Sequence, residues 1–220
     1  MARLKTGVLI SGSGTNLQAL LDAAAAPDYP AEIVLVVSNR GDAQGLERAH
    51  AAGVATQVVD HRDYPDRAAF DGALSATLSD AGCELVCLAG FMRLLTAGFT
   101  ENWRDRLINI HPSLLPAFKG LDAQAQALAA GVRIAGCTVH FVRPEMDAGP
   151  IIVQGATPVL EGDDTASLAT RILQVEHRLY PLALRLIGEG RVSVDGDVVT
   201  IAGNPPAATE TLIYPTENGG

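Results

Sequence analysis

The chain has no apolar run near the roughly 18 residues that a membrane-spanning helix needs, so a membrane span is excluded. No secretory leader is expected either. Met1-Ala2-Arg3-Leu4-Lys5-Thr6 runs into an apolar stretch cut short at Ser11-Gly12, too brief for an h-region with a cleavage site. A cytoplasmic protein is expected. Positive charge is scarce: 16 Lys and Arg stand against 25 Asp and Glu, a formal net charge of −9. Gripping a phosphate backbone takes a basic face, which argues against nucleic acid as a partner. A small anion held by backbone N–H groups at a helix start remains open. Cys83, Cys87 and Cys137 form no C-x-x-C pair and have no histidine at ligand spacing, so no metal is expected. Cys83 and Cys87 fall in a run that reads as strand, sharing one face as small buried hydrophobes. There is no internal repeat.

What is present suits a folded protein. The chain has 220 residues, of which 48% are hydrophobic and 19% charged, which excludes disorder of the whole chain. A chain of this size removes roughly 70–75% of its extended surface from water, enough for a core without staples. Strands are expected at Gly7–Ile10, Glu32–Ser38, Ala55–Val59 and Leu85–Ala89, and helices at Leu17–Ala26, Gly45–Ala52 and Arg67–Asp80. The strands are continuous apolar runs rather than alternating ones, which marks burial on both faces, and helical crossovers imply a parallel sheet. The class is therefore α/β, a doubly wound and mostly parallel sheet with ligands at the carboxyl ends of the strands.

The later half differs. Leu107-Ile108-Asn109-Ile110 runs into His111-Pro112-Ser113-Leu114-Leu115-Pro116, where two prolines impose an irregular loop. A helix near Ala123–Ala130 and strands at Gly136–Val142 and Ile151–Val159 follow, giving a mixed C-terminal part. Leu168, Ile172, Val175 and Leu179 form one stripe of a long helix from about 164 to 187, capped by Asp163, Asp164 or Thr165 and bent at Pro181. Asp195-Gly196 signals a hairpin within 191–201. Residues 1–202 are expected to form a single domain, and 203–220 a flexible tail.

Three segments could carry chemistry. In Ser11-Gly12-Ser13-Gly14-Thr15-Asn16-Leu17, two glycines turn backbone N–H groups toward one point at a helix start, which makes an anion cradle. A dinucleotide fingerprint would need a third glycine where Leu17 stands, and the second strand ends in Ser38-Asn39-Arg40 rather than an acid. Arg40 leaves a 2′-phosphate reading open. Asn109 and His111 alternate along a strand and so project together. An amide beside an imidazole suits an oxyanion derived from a carbonyl. Asp147, in Glu145-Met146-Asp147-Ala148-Gly149-Pro150, would orient that imidazole and accept a proton if the fold brought them together.

These segments resemble the phosphoribosylglycinamide formyltransferase family. The resemblance rests on Ser11 to Ala19, Phe91-Met92-Arg93-Leu94-Leu95, Ile108 to Pro116, Thr138-Val139-His140-Phe141-Val142, Met146 to Pro150, and Val175-Glu176-His177-Arg178-Leu179-Tyr180-Pro181. It spans about residues 5–199. His-Pro-Ser-Leu-Leu-Pro is shared with formyltetrahydrofolate hydrolases, whereas the Ser-Gly-x-Gly-Thr-Asn start in a chain of this length is more selective. The resemblance implies a Rossmann-like formyltransferase fold, with a nucleotide-phosphate half at about 1–106 and a folate-binding, catalytic half at about 107–202. It implies formyl transfer from the co-substrate 10-formyltetrahydrofolate to the amine of 5-phosphoribosylglycinamide in purine synthesis, without metal. Asn109, His111 and Asp147 match the catalytic trio. Gly14, Thr15 and Asn16 match the substrate-phosphate loop, and Glu176 a glycinamide contact. Arg67, Met92, Arg93, Leu94 and Leu95, with Asn109 and the run Arg143, Pro144, Glu145, Met146, Asp147, match the folate-binding stretches. Lys119, Asp122 and Gln124 depart from the family pattern, and no role is carried onto that segment. A monomer and a homodimer both fit. The rival readings are a formyltetrahydrofolate hydrolase, with water replacing the amine, and a non-catalytic folate- or nucleotide-binding module.

Overall fold

The structure, a computed structural model, describes residues 2–203 and Tyr214. Apart from Gly203 and Tyr214, the tail expected over 203–220 lies outside the described residues. The elements run β1 (Leu4–Ile10), α1 (Thr15–Ala24), β2 (Ala31–Ser38), α2 (Gly45–Ala51), β3 (Ala55–Val58), α3 (Arg67–Asp80), β4 (Leu85–Leu88), α4 (Ala97–Asn102) and β5 (Leu107–His111). They continue as α5 (Ala123–Ala129), β6 (Ile134–Phe141), β7 (Ile151–Pro158), α6 (Thr165–Gly188), β8 (Val192–Asp195) and β9 (Val198–Ile201).

Seven strands form one sheet in the order β3-β2-β1-β4-β5-β6-β7, and β8-β9 make a separate hairpin. The first five of those strands are parallel, while β6 and β7 run antiparallel to their neighbours. The order reverses between β1 and β4. The loops leaving these two strands, Ser11–Gly14 and Ala89–Leu95, therefore open side by side at the crevice where such sheets bind ligands.

Alternation along each strand splits the core. One face packs Val8, Ile10, Cys87, Ile108, Ile110 and Val139 against α1, α2, α5 and α6. The other packs Leu9, Val37, Val86, Leu88 and Leu107 against Phe70, Leu74 and Leu78 of α3 and against Phe99 and Trp103. Cys83 precedes β4 and joins the second cluster, whereas Cys87 joins the first. The expected shared face is thus corrected: the strand begins only at Leu85, after a turn in which Gly82 adopts φ 70°. Burial pushes all three thiols up, Cys83 to about 11 and the other two to about 12.

Two helix boundaries have local causes. Gly14 sits in the left-handed region (φ 69°, ψ 31°), so α1 starts at Thr15, two residues before the expected Leu17. At α6, Asp164 accepts from Ser167 N at 2.8 Å while Ser167 Oγ accepts from Asp164 N at 2.9 Å, a reciprocal cap. The helix runs on through Pro181, whose carbonyl accepts from Tyr29 Oη at 2.6 Å. Helix α4 was not anticipated, because six residues containing Gly98 show no periodic stripe; Thr96 caps it through Phe99 N at 3.3 Å.

Tyr180 locks α6 to the sheet. It is fully buried, and its hydroxyl lies 3.0 Å from Leu88 O and 3.2 Å from Ile108 O, where β4 and β5 pair. Tyr180→Phe keeps the packing and removes that donor, so it should cost about 0.5–1.5 kcal/mol. A denaturant midpoint equal to that of the unchanged protein would show that the hydroxyl contributes nothing net.

Candidate active site

Ser11, at the end of β1, ties the crevice together. Its hydroxyl donates to Asn39 Oδ1 at 2.6 Å and accepts from Met92 N at 2.8 Å, joining the ends of three neighbouring strands. The first bond of α1 runs from Gln18 N to Gly14 O at 2.9 Å, so the amides of Thr15, Asn16 and Leu17 precede the hydrogen-bonded ladder. Helix α2 braces this turn. Gly45 N donates to Gly12 O at 3.0 Å, and a Cβ on Gly14 would lie 2.6 Å from Gly45 Cα. Arg48 Nε donates to Ser13 O at 2.8 Å, and Nη1 reaches Gln18 Oε1 at 3.3 Å. Thr15, Gln18, Asp22, Arg48 and His177 line a cup of about 330 Å³ along the same turn of α1. Asn16 Nδ2 donates to Glu176 Oε2 at 2.7 Å, and burial raises the Glu176 carboxyl above its ordinary value. Arg40, the candidate for a 2′-phosphate, is instead paired with Asp42 at 2.8 Å and exposed.

The second half of the site stands on the β5–β6 register. Asn109 pairs with His140 and His111 with Thr138, so the four side chains lie on one face while Ile108, Ile110, Val139 and Phe141 enter the core on the other. The loop after β6 folds back over this polar ladder. Asp147 Oδ2 lies 3.5 Å from His111 Nδ1, and Oδ1 lies 3.8 Å from His140 Nε2. Gly120 N donates to Asp147 Oδ2 at 2.8 Å. The carboxylate thus meets two imidazoles and one amide.

His111 is 5% exposed, and its Nε2 sits 2.9 Å from Phe118 O. A carbonyl only accepts, so Nε2 carries a proton. Its Nδ1 faces Asp147 Oδ2 at 3.5 Å. The imidazole expected to face an oxyanion therefore spends its Nε2–H on the protein's own loop in this conformation. Phe118 (φ 54°) and Asp147 (φ 50°) are both non-glycine residues in the left-handed region. Backbone of that kind clusters where ligands are handled.

The structure brings Asn109, His111 and Asp147 together, and Asn16 with Glu176. Among the described residues, no hydrogen bond or ion pair joins Arg67, Leu94 or Leu95 to the trio. Arg67 opens α3 and is exposed, and Arg93 stacks 5.6 Å over the Phe70 ring with its Nε buried and unpartnered. Arg143 holds Asp105 Oδ1 at 2.6 Å. Met92 (74%), Leu94 (59%) and Met146 (54%) are exposed apolar side chains on the loops after β4 and β6, flanked by Pro144 and Glu145. Among the described residues, no group of three or more His, Cys, Asp or Glu is arranged to hold a metal ion. A wider groove of about 540 Å³, between α3 and α4, contains none of the residues singled out from sequence.

Sequence reasoning gave no role to His140, to the Gly120 amide or to the Phe118 carbonyl. His140 was findable, because Thr138-x-His140 mirrors Asn109-x-His111 once the two strands are paired antiparallel. The other two are backbone groups and carry no side-chain signal.

The profile of the family described as formyl transferase matches residues 4–184. The chain is 40% identical over 201 residues to phosphoribosylglycinamide formyltransferase of Escherichia coli, covering 90% of this chain and 95% of that protein. It is 50% identical over 192 residues to the trifunctional purine biosynthetic protein adenosine-3 of Gallus gallus, covering 87% of this chain but only 19% of that longer protein. Among solved structures, glycinamide ribonucleotide transformylase 1 of Symbiobacterium toebii superposes with a TM-score of 0.88 at 54% identity, covering 90% of this chain and 94% of its own.

Proposed function

The chain belongs to the formyl transferase family, and on that premise we propose that it moves the formyl group of 10-formyltetrahydrofolate onto the amine of 5-phosphoribosylglycinamide. One observation carries the reading: Asn109, His111 and Asp147, remote in sequence, converge on one polar face at the mouth of the sheet. The fit to both substrates rests on the crevice itself. The uncommitted amides of Thr15, Asn16 and Leu17 with the nearby Arg48 guanidinium suit a phosphate monoester. The exposed apolar side chains Met92, Leu94 and Met146, on the loops after β4 and β6, suit the flat pterin ring.

In this reading the amine attacks the formyl carbon, and charge develops on the formyl oxygen. Asn109 Nδ2 donates to that oxygen. His111 does so once substrate binding displaces the Phe118 carbonyl from its Nε2. The attacking nitrogen must lose a proton and the departing folate nitrogen must gain one. Asp147, 3.5 Å from His111 Nδ1, accepts the first, directly or through water, and returns a proton to the folate nitrogen as that nitrogen's bond to the formyl carbon breaks. Holding the two reactants in contact supplies much of the remaining acceleration.

The test mixes protein, 10-formyltetrahydrofolate and phosphoribosylglycinamide and follows loss of formyl-folate with and without the amine. Loss that needs the amine supports transfer, loss that ignores it supports hydrolysis, and no loss leaves a binding module. A second expectation concerns Asn16. Asn16→Ala frees the turn from α6 and strips Glu176 of its donor, so the KM for the phosphorylated substrate should rise while kcat stays close to that of the parent. An unchanged KM would reduce Asn16 to a structural tie.

A further inference from the structure

We propose that His140 is a positioning residue: it presents a bare Nε2 lone pair to Asn109 and so fixes which way the Asn109 carboxamide faces the acyl carbon. The inference rests on reading Asn109 as the oxyanion donor.

The argument is one of donors and acceptors. His140 Nδ1 lies 2.9 Å from Phe141 O. That carbonyl can only accept, so Nδ1 carries the proton and the neutral ring leaves Nε2 bare. Nε2 lies 3.4 Å from Asn109 Nδ2, its cross-strand partner. A bare ring nitrogen accepts from the amide N–H₂. The flipped carboxamide would set Oδ1 against that lone pair, acceptor against acceptor, beside a ring that is 2% exposed. One N–H of Asn109 is therefore pinned to His140, and the other is left to point at substrate.

The surroundings keep the ring neutral. His140 is 2% exposed, and burial, the largest influence, lowers its affinity for a proton. His111 and Lys119 act in the same direction, against Asp147 and the Phe141 carbonyl. Asp147 Oδ1, at 3.8 Å, is too far to take a full hydrogen bond from Nε2. Donors for an oxyanion work because they are oriented before charge appears. A carboxamide free to flip would spend part of its time presenting an oxygen to the developing negative charge.

Nitrogen-15 NMR of the unchanged protein tests the tautomer without any mutation. His140 should show a protonated Nδ1 and an unprotonated Nε2, and the opposite tautomer overturns the proposal. Two isosteres then separate positioning from structure. His140→Gln places an acceptor near the Nε2 position, while His140→Asn keeps only a donor near Nδ1 for Phe141 O. Asn109→Ala should lose about 10²–10³ in kcat, and His140→Asn about tenfold or more within that ceiling, with KM values unchanged. His140→Gln should keep more kcat than His140→Asn at comparable melting temperature. The reverse ranking means that the bond to Phe141 is what matters and overturns the proposal. In the Asn109→Ala background, His140→Asn should cost little more, because both changes remove the same interaction. An impaired Asn109→Ala beside an unimpaired His140→Asn sinks this inference alone, whereas normal turnover in Asn109→Ala sinks the oxyanion reading beneath it.

Discussion

Asp147→Asn is expected to lower kcat by about 10²–10⁴-fold, the range associated with a positioned proton-transfer group, while leaving both KM values near those of the parent. The substitution is nearly isosteric, and Asn tolerates the left-handed backbone that residue 147 adopts at φ 50°. It can still accept from Gly120 N, so the loop that crosses the site should stay in place. What disappears is the negative charge 3.5 Å from His111 Nδ1 and the acceptor for a migrating proton. Steady-state kinetics in each substrate, with a thermal melt as control, would check it. Parental kcat in a folded Asp147→Asn protein would remove the carboxylate from the chemistry.

The parallel half of the sheet was legible because its strands are uninterrupted apolar runs, such as Ile33 to Val37 and Leu85 to Leu88, with helical stretches between most of them. The turn between β1 and α1 was legible from an equally local signal: Gly12 and Gly14 mark a bend that only a few backbone conformations satisfy. The polar ladder is different in kind. Asn109 and His111 could be placed on one face from their spacing, but their meeting with His140 and Asp147 depends on the antiparallel register of β5 with β6. That register brings together residues about thirty positions apart, and no local periodicity encodes it. The family resemblance supplied the trio, and the fold added the fourth member. Pro181 teaches a related lesson. Locally it costs α6 a backbone donor, yet the helix spans it, with the Pro181 carbonyl taken by Tyr29 and the adjacent Tyr180 anchored on the sheet.

His111→Ala should lower kcat by about 10²–10³-fold, the usual consequence of losing one oriented oxyanion donor, with formyl-folate affinity little changed. The imidazole in this structure meets Phe118 O at 2.9 Å and stands 3.5 Å from the Asp147 carboxylate, so its removal should loosen the 112–122 loop as well as delete a donor. The two effects are separable. Loop loosening alters substrate affinity and the melting temperature, whereas loss of the donor appears in kcat at saturating substrate. Binding of a non-transferable folate analogue, measured by titration, isolates the first from the second. If His111 and Asp147 act as one unit, Asp147→Asn added to His111→Ala should cost far less than it does alone, since its partner is already gone. Fully additive losses would instead mean that the carboxylate serves the departing folate nitrogen through water, independently of the imidazole beside it.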